Sequence, residues 1–210
     1  MKILLATGIY PPQVGGPSYY AYSLNKEFIK LGIETCIAKY GSFLKLPPIV
    51  RHLAYLGRLL VVGRRQDVIL GFDSMSVGLP VVLAGIILRK KIVLRIGGDF
   101  LWEQYVERTK EKVPLSQFYK QEHAYTKKEK IIFVLTKFVL KRCDMVVFST
   151  PWLQNIIIEA YGTKKEKTTV IENEFGILHG TATYLKKNFI WAGRPIFLKN
   201  TEALRKAFSR

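Results

Sequence analysis

Four places in the sequence combine residue types that could bind or orient a ligand, and the first is a pair of adjacent glycines. Gly15 and Gly16 stand at the start of a helical pattern. Neighbouring glycines let a backbone approach a ligand closely, and the amino terminus of a helix attracts anions. The simpler alternative is a plain turn, because neither GxGxxG nor a Walker lysine accompanies the pair.

The second place is an acidic residue between glycines and aromatic side chains. Asp99 follows Gly97 and Gly98 and precedes Trp102 and Glu103. A carboxylate accepts hydrogen bonds from ligand hydroxyl groups, and an aromatic ring offers a flat apolar surface to a sugar. The structural alternative is that Asp99 caps a helix.

The other two places carry hydroxyl or basic groups. Ser149 and Thr150 precede Pro151, so their hydroxyls either contact a ligand or cap the helix that the proline begins. Arg194 and Lys199 are close enough in sequence for a guanidinium fork and an ammonium group to hold a diphosphate, or else they form solvated surface. Hydrolase and metalloenzyme chemistry have no support, because HExxH and GxSxG motifs are absent and the three histidines lack metal-ligand spacing.

The elements that must position these residues alternate between strand and helix. Apolar runs typical of buried strands occur at residues 2–6, 33–39, 67–70, 91–96, 144–149 and 168–171, and helical periodicity occurs at 18–31, 48–65, 76–89, 127–142 and 151–161. Residues 97–117 are predicted to form a long, irregular functional loop. The alternation predicts an α/β fold, a Rossmann-like parallel sheet with helices on both faces. Ligands of such sheets bind beyond the carboxyl ends of the strands.

The chain is expected to divide unequally into domains. Residues 1–186 are predicted to form the Rossmann-like domain, including a linker from about residue 172 that shows no sustained period. Residues 187–210 are expected to be the first strand, loop and helix of a second, truncated Rossmann-like domain.

Composition restricts the class and the compartment. The 210 residues are 49% hydrophobic, which excludes disorder for most of the chain. Two distant cysteines offer no disulfide framework, and no signal-peptide pattern or bilayer-spanning run occurs, so we expect a cytoplasmic protein. The net charge of +17 must either repel itself or face an anionic partner, for which nucleic acid, a membrane surface and a phosphorylated substrate are the candidates.

Five segments, in order, resemble the family-4 retaining glycosyltransferases of the GT-B fold over nearly the whole chain. They are the loop with Tyr10-Pro11-Pro12 and Gly15-Gly16, IGGDFLWE at 96–103, DMVVFSTPWL at 144–153, KTTVIEN ending at Asn173, and FIWAGRPIFLKN at 189–200. That family places two Rossmann-like domains across a cleft, with the acceptor mostly on the amino-terminal domain and the nucleotide-sugar mostly on the other.

The resemblance implies a catalytic role for Asp99. It further implies donor or phosphate binding by Gly15, Gly16, Arg194 and Lys199, and substrate contacts by Trp102, Glu103, Ser149 and Asn173. The activity it implies is sugar transfer, with retention, from a nucleotide-sugar donor to a glycan, polysaccharide or lipid-linked acceptor. No metal or other cofactor is expected, since cations and helix dipoles neutralise the leaving group. The family's two glutamates separated by seven residues have no counterpart after Lys199, so we expect the 210-residue chain alone to be inactive.

Two other classes compete with this one. The first is a nonenzymatic basic module that binds an anionic membrane or nucleic acid, although no nucleic-acid-binding motif is found and we expect no nucleic-acid partner. The apolar side of helix 127–142 either packs on the sheet, which is favoured, or lies on a bilayer. We expect the basic surface as a whole to bind anionic membranes, at the inner face of the cell membrane. The second class, dinucleotide-dependent oxidoreductases, is disfavoured because the first strand lacks a following GxGxxG.

Overall fold

The computed structural model describes residues 1–173, 191, 193 and 196–209, and within them six strands form one sheet. The strands are β1 (Lys2–Thr7), β2 (Glu34–Lys39), β3 (Val68–Phe72), β4 (Lys91–Ile96), β5 (Met145–Phe148) and β6 (Thr168–Val170). All neighbouring strands are parallel, and their order is β2-β1-β3-β4-β5-β6. The predicted Rossmann-like parallel sheet is therefore confirmed.

Eight α-helices connect or follow these strands in the described part of the chain. They are α1 (Gly16–Lys30), α2 (Pro48–Gly63), α3 (Gly78–Leu88), α4 (Phe100–Thr109), α5 (Leu115–Phe118), α6 (Lys127–Arg142), α7 (Pro151–Tyr161) and α8 (Thr201–Phe208). Short 3-10 turns occupy Tyr40–Phe43, Lys165–Lys167 and Phe197–Lys199. None of the described helices is long and apolar enough to cross a bilayer.

The two faces of the sheet bury different helices, because side chains alternate along each strand. Ile3 and Leu5 of β1 pack with Ala21 of α1 on one face. Leu4 and Ala6 point to the other face, in a larger core to which α2, α3, α6 and α7 contribute. Strands β4 to β6 therefore have helices over one face, while α1 is the one described crossover helix on the opposite face.

Residues 97–117 differ from the irregular loop that the sequence predicts. They contain α4 and the start of α5. Helix α4 forms because Asp99 caps its first turn and because Leu101, Tyr105 and Val106 are buried against Phe118 and Ile132 of neighbouring helices. The aromatic content of this segment serves a second, smaller core.

The predicted linker and second domain fall largely outside the described residues. The residues outside the described part are 174–190, 192, 194 and 195. They include most of the first strand expected in the second domain. The helix expected near the end is present as α8. Before it, Phe197 and Leu198 pack against the α4 core, and the Leu198 amide donates to Glu107 Oε1 at 3.4 Å.

Candidate functional site

A cleft of about 580 Å³ opens at the carboxyl edge of the sheet. Its walls come from the first turns of α1, the ends of β3 and β4, the start of α4 and the chain beyond β6. The lining includes Gly16, Tyr20, Asp73, Arg95, Gly97, Gly98, Glu103 and Asn173. The crossover after β1 leads outward to β2 and the crossover after β3 leads in the opposite direction to β4, so the cleft lies where the topology reverses. Open α/β sheets bind ligands at such a point.

Arg95 is the most unusual side chain in this cleft. It belongs to the apolar strand β4, and only 6% of its surface is exposed. Its Nη1 donates to the carbonyl oxygens of Phe148 and Ile171, and Nη2 donates to Asn173 Oδ1 at 2.8 Å. The guanidinium carbon lies 4.8 Å from the centre of the Tyr20 ring, a cation–π arrangement.

No carboxylate of the described residues forms an ion pair with Arg95, although burial makes its charge costly. Desolvation lowers the pKa of Arg95 from its ordinary value, yet an arginine stays protonated in proteins. Buried charges in proteins are ordinarily paired, or they hold a ligand of opposite charge. The cleft thus contains a fixed cation whose contacts among the described residues are neutral oxygens and an aromatic ring, and an anionic group in the cleft would complete its surroundings.

Asp73 adds a carboxylate to the same cleft, and its backbone is strained. It follows β3 with a φ of 123°, a conformation that residues other than glycine rarely adopt. Its Oδ1 accepts hydrogen bonds from the amides of Met75, Val77 and Gly78, at 2.8, 2.9 and 3.2 Å. Desolvation raises the pKa of Asp73 to about 6 in spite of these donors. The turn that leads into α3 holds this acid at the cleft.

The structure brings together some of the residues that the sequence singles out. Gly16, Glu103 and Asn173 line the cleft, and Gly15 immediately precedes Gly16 at the amino end of α1. Gly97 and Gly98 line it as well, so the segments that follow β1 and β4 meet at one edge of the sheet.

Asp99 itself points away from the cleft into the protein. Its Oδ1 accepts from the Trp102 amide at 2.7 Å, and its Oδ2 accepts from the hydroxyls of Tyr119 and Tyr161 at 2.7 and 3.0 Å. Only 2% of Asp99 is exposed, and burial raises its pKa although all three donors favour the charged form. These contacts agree with the capping interpretation and leave neither carboxylate oxygen facing the cleft.

Trp102 is also placed in the protein rather than in the cleft. It packs between the two cores on this side of the sheet, and its indole Nε1 donates to the Val113 carbonyl oxygen at 2.8 Å. A partly buried indole that already has its one acceptor is anchored as a structural residue. The substrate contact expected for Trp102 therefore has no support from its position.

The remaining predicted site residues lie elsewhere. Thr150 caps α7 by accepting from the Leu153 amide, which is the structural alternative for that segment, and Ser149 is partly buried and does not line the cleft. Lys199 is exposed and likewise does not line it. Arg194 lies outside the described residues, so the pairing of Arg194 with Lys199 stays a prediction.

Sequence reasoning missed Arg95, Asp73 and Tyr20. The signal for Arg95 was present, because a basic residue interrupts the apolar strand run KIVLRI one position before its end. Asp73 stands directly after VILGF, at the carboxyl end of a strand, where parallel sheets collect ligands. Tyr20 carries no such signal, because its position fits an ordinary helix face.

Comparison with known proteins adds information on the fold. No protein-family model matches the sequence, and no curated protein matches it either. Among solved structures, UDP-GlcNAc 2-epimerase from Methanocaldococcus jannaschii is similar with a TM-score of 0.51 and 15% identity over 82% of this chain and 46% of that one. Glycyrrhiza uralensis UGT73P12, complexed with glycyrrhetinic acid 3-O-monoglucuronide, has a TM-score of 0.40 and 12% identity over 78% of this chain and 41% of its own.

The chain thus spans less than half the length of each of these two structures. At such low identity the similarity concerns architecture alone. The chain has a Rossmann-like α/β fold, similar in architecture to part of the epimerase structure.

Proposed function

We propose that this chain is the acceptor-side domain of a glycosyltransferase that moves a sugar, with retention, from a nucleotide-sugar donor to a glycan, polysaccharide or lipid-linked acceptor. The observation that carries the proposal is the buried Arg95, which has no carboxylate partner among the described residues and lies in a cleft at the reversal point of the parallel sheet. Phosphate groups are the anions that a fixed guanidinium binds best, since it offers several N–H donors in one plane. Both the donor and a lipid-linked acceptor carry such groups.

The other cleft residues suit a hydroxyl-rich ligand. Asp73, Glu103 and Asn173 supply side-chain oxygens, while Gly16, Gly97 and Gly98 allow backbone to approach. Tyr20 supplies an aromatic ring beside the cation. Small-molecule sites commonly combine a mostly apolar wall with a few such polar groups that orient the ligand.

Asp99 has a positioning role in this proposal. It holds the Gly97–Gly98 turn at the mouth of the cleft by capping α4, and it does not contact the sugar. Donor binding by Arg194 and Lys199, transfer without a metal, and a cytoplasmic location at the membrane complete the proposal. In the described residues, no group of three or more His, Cys, Asp or Glu side chains is arranged to hold a metal ion.

Titration of the 210-residue chain with UDP- and GDP-sugars and with a short-chain polyprenyl-diphosphate sugar tests the proposal, using isothermal calorimetry. We expect at least one of these to bind, and Arg95→Met to weaken its affinity by roughly tenfold or more, because a charge-assisted hydrogen bond is lost. The matched control is Arg142→Met, which removes an exposed arginine that stacks on Phe138 far along α6. Its affinity should equal that of the wild type.

Two results would contradict the proposal. Arg95→Met could bind as well as the control does, or none of these ligands could bind while the chain shifts nucleic acid in a salt-sensitive manner. The second result would favour the basic-module alternative.

A further inference from the structure

One side of α2 and the turn before it exposes an unusual set of aliphatic side chains. The set is Leu44, Leu46, Ile49, Val50, Leu53 and Val61, whose exposed fractions run from 37% to 77%. We call these residues, with the basic residues among them, the α2 face. Positions 49, 53, 57 and 61 follow the four-residue spacing of one helix side, so the aliphatic groups form a stripe.

The stripe is not a poorly packed core, because the opposite side of α2 is fully engaged. Tyr55, Leu59 and Gly63 are buried there. The Tyr55 hydroxyl donates to the Ala38 carbonyl oxygen at 2.9 Å, and Leu88 of α3 approaches Gly63 closely. The helix is therefore anchored in the orientation that turns the aliphatic stripe outward.

The same segment is basic without compensation. Residues 35–66 include six Lys and Arg and no Asp or Glu. The exposed members are Lys39, Lys45, Arg58, Arg64 and Arg65, and none forms an ion pair with the described residues. Arg51 belongs to this segment too, and its Nε is buried without a hydrogen-bond partner.

The α2 face also reaches the edge of the sheet that carries the cleft. Strand β2 ends at that edge, and α2 begins after a short turn, so Leu44, Leu46 and Ile49 lie toward the cleft edge and Val61 toward the far edge. A surface held against the α2 face would adjoin the cleft.

We propose that the α2 face docks on an anionic lipid bilayer, with the aliphatic stripe at the boundary of headgroups and acyl chains and the basic residues on the phosphates. A helix with exposed aliphatic groups and uncompensated basic residues has the pattern of an interfacial helix. A second copy of this chain is a poor occupant, because it would bring an equally basic surface against this one. Delivery of a lipid-linked acceptor to the adjacent cleft rests on the proposed function; docking itself does not.

Cosedimentation of the full chain with phosphatidylglycerol-rich vesicles and with pure phosphatidylcholine vesicles tests the docking. We expect binding to the anionic vesicles only, weakening as salt rises. Leu53→Glu should lower the partition coefficient about tenfold or more, and Arg58→Gln with Arg65→Gln about fivefold per residue.

The matched control is Val134→Glu on α6, because Val134 and Leu53 are both 63% exposed. It changes the net charge equally but should lower partitioning less than about twofold, since it lies off the α2 face. Circular dichroism and thermal midpoints of all variants should match the wild type, because the replaced side chains are exposed.

Three outcomes would overturn the docking proposal. They are equal losses in Leu53→Glu and Val134→Glu, equal or absent sedimentation of the wild type with both vesicle types, and a wild-type dimer in sedimentation velocity that Leu53→Glu dissociates without any vesicle binding. Nucleotide-sugar titration in solution is a separate readout. Absence of binding by the wild type would count against the proposed function alone, and Leu53→Glu should bind as the wild type does, because Leu53 does not line the cleft.

Discussion

Arg95 and Asp99 are four residues apart, one near the end of β4 and the other just beyond it, and both are buried, yet their surroundings differ. Asp99 is enclosed by donors, namely one backbone amide and two tyrosine hydroxyls. Arg95 is bound to carbonyl and amide oxygens and to a ring, without a carboxylate among the described residues. The hydrogen bonds of the Asp99 carboxylate are all made within the protein, whereas the Arg95 guanidinium has no opposite charge beside it among the described residues and can bind an anion in the cleft.

The difference separates a structural charge from a binding charge. Both residues are buried, and desolvation favours the neutral form of each: it lowers the pKa of Arg95 and raises the pKa of Asp99. What distinguishes them is whether the charge is matched by groups of the protein itself. An unmatched buried charge that lines a cleft is the better indicator of a ligand site.

The largest expected effect concerns the stability that each charge supports. Asp99→Ala removes a helix cap and leaves the Tyr119 and Tyr161 hydroxyls with only each other as partners, so it should lower the free energy of unfolding by about 3 kcal/mol. Arg95→Met should lower it by only about 1 kcal/mol, because loss of its hydrogen bonds is offset by removal of a buried cation that has no carboxylate partner among the described residues. Urea unfolding of both variants checks this ordering, and equal losses would break the comparison.

Asp73 extends the comparison to a third buried charge, because its contribution to the free energy of unfolding should depend on pH. Because the folded pKa is about 6, above the ordinary 3.8, the folded chain binds more protons than the unfolded chain between these values. Stability contributed by Asp73 should therefore fall as pH rises from about 4 to about 6. Relative to the wild type, Asp73→Asn should gain about 2 kcal/mol of unfolding free energy between pH 4 and pH 7.

Urea unfolding of the Asp73→Asn variant and the wild type across this pH range measures the difference directly. Other titrating groups, Asp99 among them, cancel because both proteins contain them. A difference that stays constant with pH would show that the Asp73 carboxyl titrates normally.

The smallest expected effect lies within the Asp99 network. Tyr119→Phe removes one of the two hydroxyls on Asp99 Oδ2 but leaves Tyr161, so stability should fall by about 1 kcal/mol. Nucleotide-sugar affinity should not change, because Tyr119 does not line the cleft. Combining Tyr119→Phe with Tyr161→Phe should cost more than the sum of the single changes, since the pair shares one acceptor. Additive losses would mean that the two hydroxyls act independently.

The fold was largely predictable, because apolar runs and periodicity record which faces of the elements are buried. All six strands occur where the sequence indicates, and α6 and α7 have the predicted bounds. The segment after β4 was predicted wrongly, because α4 is short and its apolar residues serve a separate core rather than the sheet. That core depends on contacts with α5 and α6 that are distant in sequence.

The site was only partly predictable. Glycines and acids after strands indicated the correct edge of the sheet, since that rule depends on topology. Sequence could not show that Asp99 turns inward, because its partners Tyr119 and Tyr161 are 20 and 62 residues away. It likewise could not show that no carboxylate of the described residues pairs with Arg95, because the strand run does not reveal which side chains surround the guanidinium.

Arg95 joins two regions that the chain separates by more than 70 residues, the floor of the cleft and the segment leaving β6 at Ile171 and Asn173. A ligand that accepts from this guanidinium and alters its hold on Asn173 changes the free energy of the exit segment as well. By thermodynamic reciprocity, fixing or releasing the exit segment must change the affinity for that ligand by the same factor. Occupancy of the cleft and the direction in which the chain departs from the sheet are then coupled variables, and Arg95 is the residue through which either would act on the other.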